Sequence, residues 1–413
     1  MKFIDYHIDD DIKKGLAQLG FKRPTDIQYK SIPNILNGED LLAVAQTGTG
    51  KTAAYVIPIV HKIYSKKKSQ SRPDGIRCLI MVPTHELAIQ VLGVVEKIAE
   101  HTSVKATAIY GGVEQKPQIK ILNEGVDILI ATPGRMFDLI SQGYLRTNRI
   151  NTLVLDEADH MLDLGFIGDI MDLLRKIPDR RQTLFFSATI SPKIKKTAYS
   201  IIRQSAIRIQ ISPKDPVSKN VDHSVIFMEM DHKRFFLERV ISENPDTKVL
   251  VFVRTQVRAE RVAKAMERVE IYALTIHGGK DQKQRDMVMK AFREGSSKIL
   301  IATDVSARGI DIPDVQIVVN YDLPDKAENY VHRVGRTGRV KKKGHAYSFC
   351  SEDEKFFLAK IQKFVGKDIN EIKLDHDAYE ETLNIEKERT FDIDALMEEA
   401  EMFENKRKKK GKK

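Results

Sequence analysis

Two short stretches carry residue types that could do chemistry. The first, Gln46-Thr47-Gly48-Thr49-Gly50-Lys51-Thr52, follows the apolar run LLAVA at 41–45 and leads into a helix-like segment. Glycines there let the backbone curl so that successive N–H groups point inward; Lys51 can reach the β and γ phosphates of a nucleotide, and Thr52 offers a hydroxyl to Mg²⁺. The pattern departs from G-x-x-x-x-G-K-[ST] in having Ala45 where the first glycine would stand. The second stretch is TLVLDEADHMLD at 152–163, an apolar run that stops at Asp156 and is followed at once by Glu157 and Asp159. At the end of a strand beside a phosphate loop, Asp156 can hold Mg²⁺ through water while Glu157 orients and deprotonates the attacking water. Alone, such acids would decorate the first turn of a helix, favoured by its dipole. With a phosphate loop upstream, the catalytic reading is preferred.

Two further clusters fit the same chemistry. Ser187-Ala188-Thr189 ends another apolar run, and its hydroxyls can bridge to Asp159, although by itself such a triplet is more often a helix cap. His332 to Arg339 (HRVGRTGR) packs three arginines into a glycine-loosened segment. These could reach a γ-phosphate as arginine fingers, a contribution worth roughly 10³ to 10⁵ in rate. They would equally suit an exposed basic loop on nucleic acid, and the two roles are compatible.

These residues must be positioned by strands. Near-continuous apolar runs, LLAVA, CLIMV, DILIA, TLVLD and TLFFS, alternate with amphipathic stretches, and a second series, KVLVFV, YALTI, KILIA and QIVVN, follows. Such alternation predicts α/β domains with mostly parallel sheets covered by helices on both faces. The boundaries read as a first domain over 1–210, a linker at 211–220 marked by prolines, a second domain over 221–368, and an acidic then basic extension at 369–413 that is partly disordered. The chemistry-bearing residues fall just after strand ends, where open parallel sheets bind ligands. Two facing rims would make a cleft.

Composition adds limits. The 413 residues exceed one ordinary core and suit two domains, and 42% of them are hydrophobic. The net charge of +10 includes seven positive charges within 406–413, so most of the basic excess is a tail. Cys78 and Cys350 lie in strand-like runs, which favours buried thiols and a reducing compartment. The N-terminal MKFIDYHIDDDIKK has no apolar signal region, and no stretch approaches the roughly 18 apolar residues of a membrane helix. A cytoplasmic protein away from membranes is expected.

The motifs AQTGTGKT (45–52), PTHELA (83–88), GG (111–112), TPGR (132–135), DEAD (156–159), SAT (187–189), VFVRT (251–255), ATDVSARGIDIP (302–313) and HRVGRTGR (332–339) stand in the order typical of DEAD-box ATP-dependent RNA helicases. GFKRPTDIQ at 20–28 resembles that family's adenine-recognition motif, and the resemblance covers roughly residues 3–365. It implies two RecA-like domains joined by a short flexible linker that close around ATP and RNA together. It also implies that Gln28 binds the adenine edge with Thr25 in support, and that Phe3, placed as the upstream aromatic, stacks on the base. Arg308 and Asp311 approach the ribose, Arg336 and Arg339 are the fingers, and His332 communicates with Asp159 and the SAT segment. RNA contacts are implied for Pro83, Thr84, Gly111, Gly112, Thr132, Gly134 and Arg135 in the first domain. In the second they are implied for Arg254, Thr255, Gly279, Thr303 and Asp304. Backbone amides, hydroxyls and arginines of this kind carry little base information, so binding is expected to be independent of sequence.

One position departs from the family: His85 stands where PTHELA usually has arginine. RNA affinity is then expected to depend more on pH between about 6 and 7 than with arginine there, since an unperturbed imidazole titrates in that range. The alternative is a simple packing substitution. The resemblance further implies a monomer that couples ATP hydrolysis to local unwinding of short RNA duplexes or to RNA–protein remodelling. A bacterial RhlE-like member working with ribosomal or RNA-turnover proteins, in ribosome biogenesis, is the narrower expectation. An ATP-dependent clamp without unwinding and a DNA helicase of the same superfamily remain alternatives, and the lysine tail could tether RNA nonspecifically.

Overall fold

The structure, a computed structural model, describes residues 2–46, 48–69, 75–190, 192–211, 217–218, 220–304, 312, 315–338 and 343–383. Thr47, Arg308, Asp311, Arg339, most of the expected linker and the basic tail lie outside the described residues. The chain divides between residues 216 and 217 into two compact units.

In the first unit the strands are β1 Leu41–Ala45, β2 Cys78–Met81, β3 Ala106–Ile109, β4 Ile128–Ala131, β5 Thr152–Leu155, β6 Gln182–Ser187 and β7 Ile207–Ile211. Its helices are α1 Asp10–Gln18, α2 Asp26–Leu36, α3 Lys51–Ser69, α4 His85–Ala99, α5 Lys116–Asn123, α6 Pro133–Ser141, α7 Ala158–Asp163, α8 Ile167–Lys176 and α9 Pro192–Ile201. The strands form one sheet in the order β3-β4-β2-β5-β6-β1-β7, parallel throughout. Alternate residues of β1 feed opposite cores: Leu41, Ala43 and Ala45 join one apolar cluster, Leu42 and Val44 the other. A strand buried on both faces has no polar face to offer, which is why these runs read as continuously apolar.

The second unit repeats the plan. Its strands are β8 Val221–Phe227, β9 Val249–Val253, β10 Ala273–Ile276, β11 Ile299–Thr303, β12 Ile317–Asn320, β13 Gly344–Cys350 and β14 Asn370–Glu371, in the order β10-β11-β9-β12-β13-β8-β14 and again parallel. The described helices are α10 Lys233–Ser242, α11 Gln256–Glu267, α12 Gln282–Glu294, α13 Ala327–Val334 and α14 Lys355–Val365. Both sheets with helices over their faces match the two-domain α/β architecture expected. Strands β3, β7, β8 and β14 were not anticipated. In β7 and β8 exposed and buried residues mix, so the apolar run that marks a central strand is missing.

Residues 370–383, assigned from sequence to the extension, pack on the second unit. Strand β14 pairs with Ser224 and Val225 of β8. The Tyr379 hydroxyl meets His232 Nδ1 at 2.9 Å and its ring lies 5.1 Å from that of Phe236, while Arg239 Nη1 donates to Thr382 Oγ1 at 2.6 Å. Ile372, Leu374 and Tyr379 also pack against the core of this unit, but their spacing follows neither the strand nor the helix period, so periodicity gave no signal for the segment. Among the described residues, no helix is long and apolar enough to cross a membrane.

Candidate active site

The phosphate loop connects β1 to α3. Gly48 and Gly50 hold φ of 79° and 89°, in the left-handed region open to glycine. Thr49 Oγ1 donates to Gln46 O at 2.7 Å, and the buried Lys51 donates its Nζ to Ala45 O at 2.6 Å. The ammonium thus lies over the hollow of the loop, within reach of a phosphate that took the carbonyl's place.

The residues expected to recognise the base are tied to this loop. Gln28 Oε1 accepts from Thr25 N at 2.9 Å, closing a capping box on α2, and Gln28 Nε2 donates to Gly50 O at 3.2 Å. Thr25 Oγ1 donates to Thr49 O at 2.8 Å. The amide keeps one further hydrogen and one lone pair, which suits the donor–acceptor edge of adenine. Phe3 does not fit its expected place. Its ring is 4% exposed and packs between Tyr6 and Phe21 at centroid distances of 6.0 and 6.1 Å. A base stacks on an open ring face, and Phe3 is instead core support for the half-buried Phe21 of GFKRPTDIQ.

The acids follow β5. Asp156 is 2% exposed; its Oδ1 accepts from Glu157 N at 2.9 Å and its Oδ2 from the Tyr55 hydroxyl at 2.7 Å. Burial pushes this carboxyl up to about 6 against the opposing pull of the Lys51 cation. Glu157 sits at φ 48°, ψ 47°, a left-handed conformation rare for a residue with a side chain. Strain of that kind clusters at functional sites. One turn on, Asp159 Oδ2 accepts from both Thr189 N (3.0 Å) and Thr189 Oγ1 (2.9 Å), while Ser187 Oγ donates to Thr189 O at 2.7 Å. Strand β6 lies between β5 and β1, so the SAT segment stands between the acids and the phosphate loop.

The first-domain RNA candidates share the rest of that rim. Pro83 and Thr84 follow β2, Gly111 and Gly112 follow β3, and Thr132, Gly134 and Arg135 follow β4, three adjacent strands. Thr84 caps α4 by accepting from Leu87 N at 3.3 Å, and Arg135 Nη2 donates to Val113 O at 2.8 Å while its Nη1 lacks a partner. His85 is 7% exposed and stacks on Tyr110 at 3.6 Å with neither ring nitrogen hydrogen-bonded. An imidazole enclosed in this way packs on Tyr110, which fits the packing alternative.

In the second unit, Thr255 caps α11 by accepting from Arg258 N at 3.2 Å. Arg254 is braced by Leu323 O at 3.2 Å, Glu354 at 3.1 Å and Asp325 at 3.2 Å. Gly279 N donates to His277 Nδ1 at 3.2 Å, and Thr303 ends β11, buried. Asp304 holds Arg333 at 2.5 and 2.9 Å; this arginine, 1% exposed, also donates to Asp322 O at 2.7 Å. One of the three clustered arginines is therefore an internal brace, with Asp304 as its counter-charge rather than an open RNA contact. His332 lies in the last turn of α13 and Arg336 just beyond it.

A family model described as DEAD/DEAH box helicase matches residues 25–197, and one described as helicase conserved C-terminal domain matches 232–341. The ATP-dependent RNA helicase RhlB of Shewanella sediminis is 39% identical over 380 residues, covering 91% of this chain and 87% of that protein. The chain belongs to the DEAD-box family of ATP-dependent RNA helicases. Another RhlB, from Shewanella woodyi, is 40% identical over 371 residues, covering 89% and 84%. Among solved DEAD-box helicases, S. cerevisiae Dbp5 bound to RNA and ADP BeF3 superposes with a TM-score of 0.80 at 29% identity, covering 94% of this chain and 99% of that one. Mss116 bound to ssRNA and AMP-PNP gives 0.81 at 28% identity, covering 91% and 80%. These relatives carry the name RhlB, so they lend no support to the narrower RhlE-like expectation.

Reading this DEAD-box helicase from sequence missed Tyr55, whose signal was a lone hydroxyl in the apolar stretch AAYVI, and Tyr110, which nothing but its place before the glycines marked.

Proposed function

We propose that this helicase couples ATP binding and hydrolysis to local, sequence-independent separation of short RNA duplexes or remodelling of RNA–protein complexes. One observation carries the reading: the rim of the first sheet is divided. The loops after β5, β6 and β1 hold nucleotide chemistry, and the loops after β3, β4 and β2 hold the RNA candidates. The Thr189–Asp159 bonds lie within the nucleotide half, beside the acids that adjoin the RNA half.

The residues present fit Mg²⁺. Asp156 is a buried carboxylate with spare lone pairs and Thr52 a hydroxyl at the start of α3. Among the described residues no cluster of three or more His, Cys, Asp or Glu could hold a metal alone. That agrees with an ion held by one or two protein groups together with phosphate oxygens and water. Held by Asp156 and Thr52, Mg²⁺ would supply charge neutralisation at the β and γ phosphates. Lys51 then leaves Ala45 O for the phosphates, Glu157 orients and deprotonates the attacking water, and Gln28 reads adenine. Arg336 and Arg339 act as fingers, with Arg308 and Asp311 at the ribose. The place of action is the cytoplasm, as a monomer, on RNAs of ribosome assembly or turnover.

Glu157→Gln is expected to keep ATP and RNA binding while steady-state ATPase falls at least 100-fold, the usual size of a general base. Unimpaired turnover would remove Glu157 from its role. Stronger ATPase stimulation by RNA than by DNA excludes the DNA-helicase alternative, and strand displacement by the purified chain excludes a pure clamp.

A further inference from the structure

Tyr55 lies on α3 one turn after Thr52 and is completely buried, its ring 5.1 Å from that of Phe186 on β6. Its hydroxyl donates to Asp156 Oδ2 at 2.7 Å. A phenylalanine would fill this space without burying a polar atom, so the hydroxyl is kept at a cost that only its bond offsets. Its partner is the carboxylate assigned above to the cation.

We propose that Tyr55 is a positioning residue for the magnesium-nucleotide: its hydroxyl, carried on the phosphate-loop helix, fixes the Asp156 carboxylate at the end of β5. The inference rests on the nucleotide reading given above. Asp156 Oδ1 is fixed by Glu157 N–H and Oδ2 by Tyr55, so the plane of the carboxylate has a single orientation. Each oxygen keeps lone-pair capacity for a water of the cation's shell. Without the phenol hydroxyl the carboxylate would pivot on one anchor. The hydrogen bonds described above for the phosphate loop and Lys51 run to Gln46, Thr25, Gln28 and Ala45, and none of these bonds is to that hydroxyl.

The test uses the full chain and its Tyr55→Phe variant, titrated with fluorescent mant-ADP first in excess EDTA and then at stepped Mg²⁺. In EDTA the two proteins should bind equally within about twofold. The Mg²⁺ concentration giving half of the added affinity should rise about tenfold in the variant, the size expected for one hydrogen bond to a charged group. Equal Mg²⁺ half-points overturn the proposal. Weakened binding in EDTA overturns it too, since the hydroxyl would then serve the loop's architecture. Failure of the unaltered chain to bind mant-ADP at all would instead refute the nucleotide reading beneath it.

Discussion

Gly50 is where the phosphate loop and the base-recognition motif meet. A Cβ there would run into the Gln28 amide, and the φ of 89° is strained for any side chain. Gly50→Ala is therefore expected to force the loop and the amide apart, lowering ATP affinity at least tenfold in a direct binding assay while the rest of the fold persists. A left-handed residue with a Cβ costs roughly 1–2 kcal/mol, the same order as that loss. Most functional residue types were legible in the sequence, because a Gly-Lys-Thr turn and paired acids have few other uses in such spacing. Phe3, His85 and Asp304 were not, since burial against Phe21, Tyr110 and Arg333 comes from neighbours distant in the chain.

Among the elements, α10 carries an ion buried without exposure. Lys233 donates to Tyr321 O at 2.8 Å and pairs with Glu354, whose other oxygen accepts from Arg254 at 3.1 Å and Leu323 N at 3.1 Å. Burial pulls the Lys233 ammonium below its ordinary value, opposed chiefly by Glu354. This network joins α10, the end of β12 and the start of α14 beneath the expected RNA contact Arg254. Removing Lys233 takes the buried cation from Glu354 Oε2 and leaves Arg254 as its remaining ion-pair partner, and breaking a buried pair typically costs about 3–5 kcal/mol. Lys233→Met is expected to destabilise the second unit by that order, read as earlier loss of amide protection in β12 and α14 by hydrogen exchange, with α3 and β1 unaffected. Strand β14 and the segment after it show the limit of pattern reading at this scale: Tyr379 anchors by its hydroxyl and ring on His232 and Phe236 and Thr382 by its bond to Arg239, contacts that follow no period.

For the whole molecule the expectation is thermodynamic. If ATP and RNA act on one linked system, the factor by which a nonhydrolysable ATP analogue tightens RNA binding must equal the factor by which RNA tightens the analogue, typically about 5- to 150-fold. Titrations in both directions check this; independent sites would give a factor of one. The sequence alone determined the two α/β units, their strands buried on both faces and the motifs that mark the DEAD-box family, because apolar runs and Gly-Lys-Thr spacing are local properties of the chain. Strand order was decided only by tertiary structure. Which loops become neighbours depends on packing whole strands by their hydrogen-bonding edges, and that placed SAT between the acids and the phosphate loop. The same packing decided which polar groups would be sealed from water, so that a tyrosine in an apolar helix became the partner of Asp156 and an arginine in a basic cluster became the brace of Asp304.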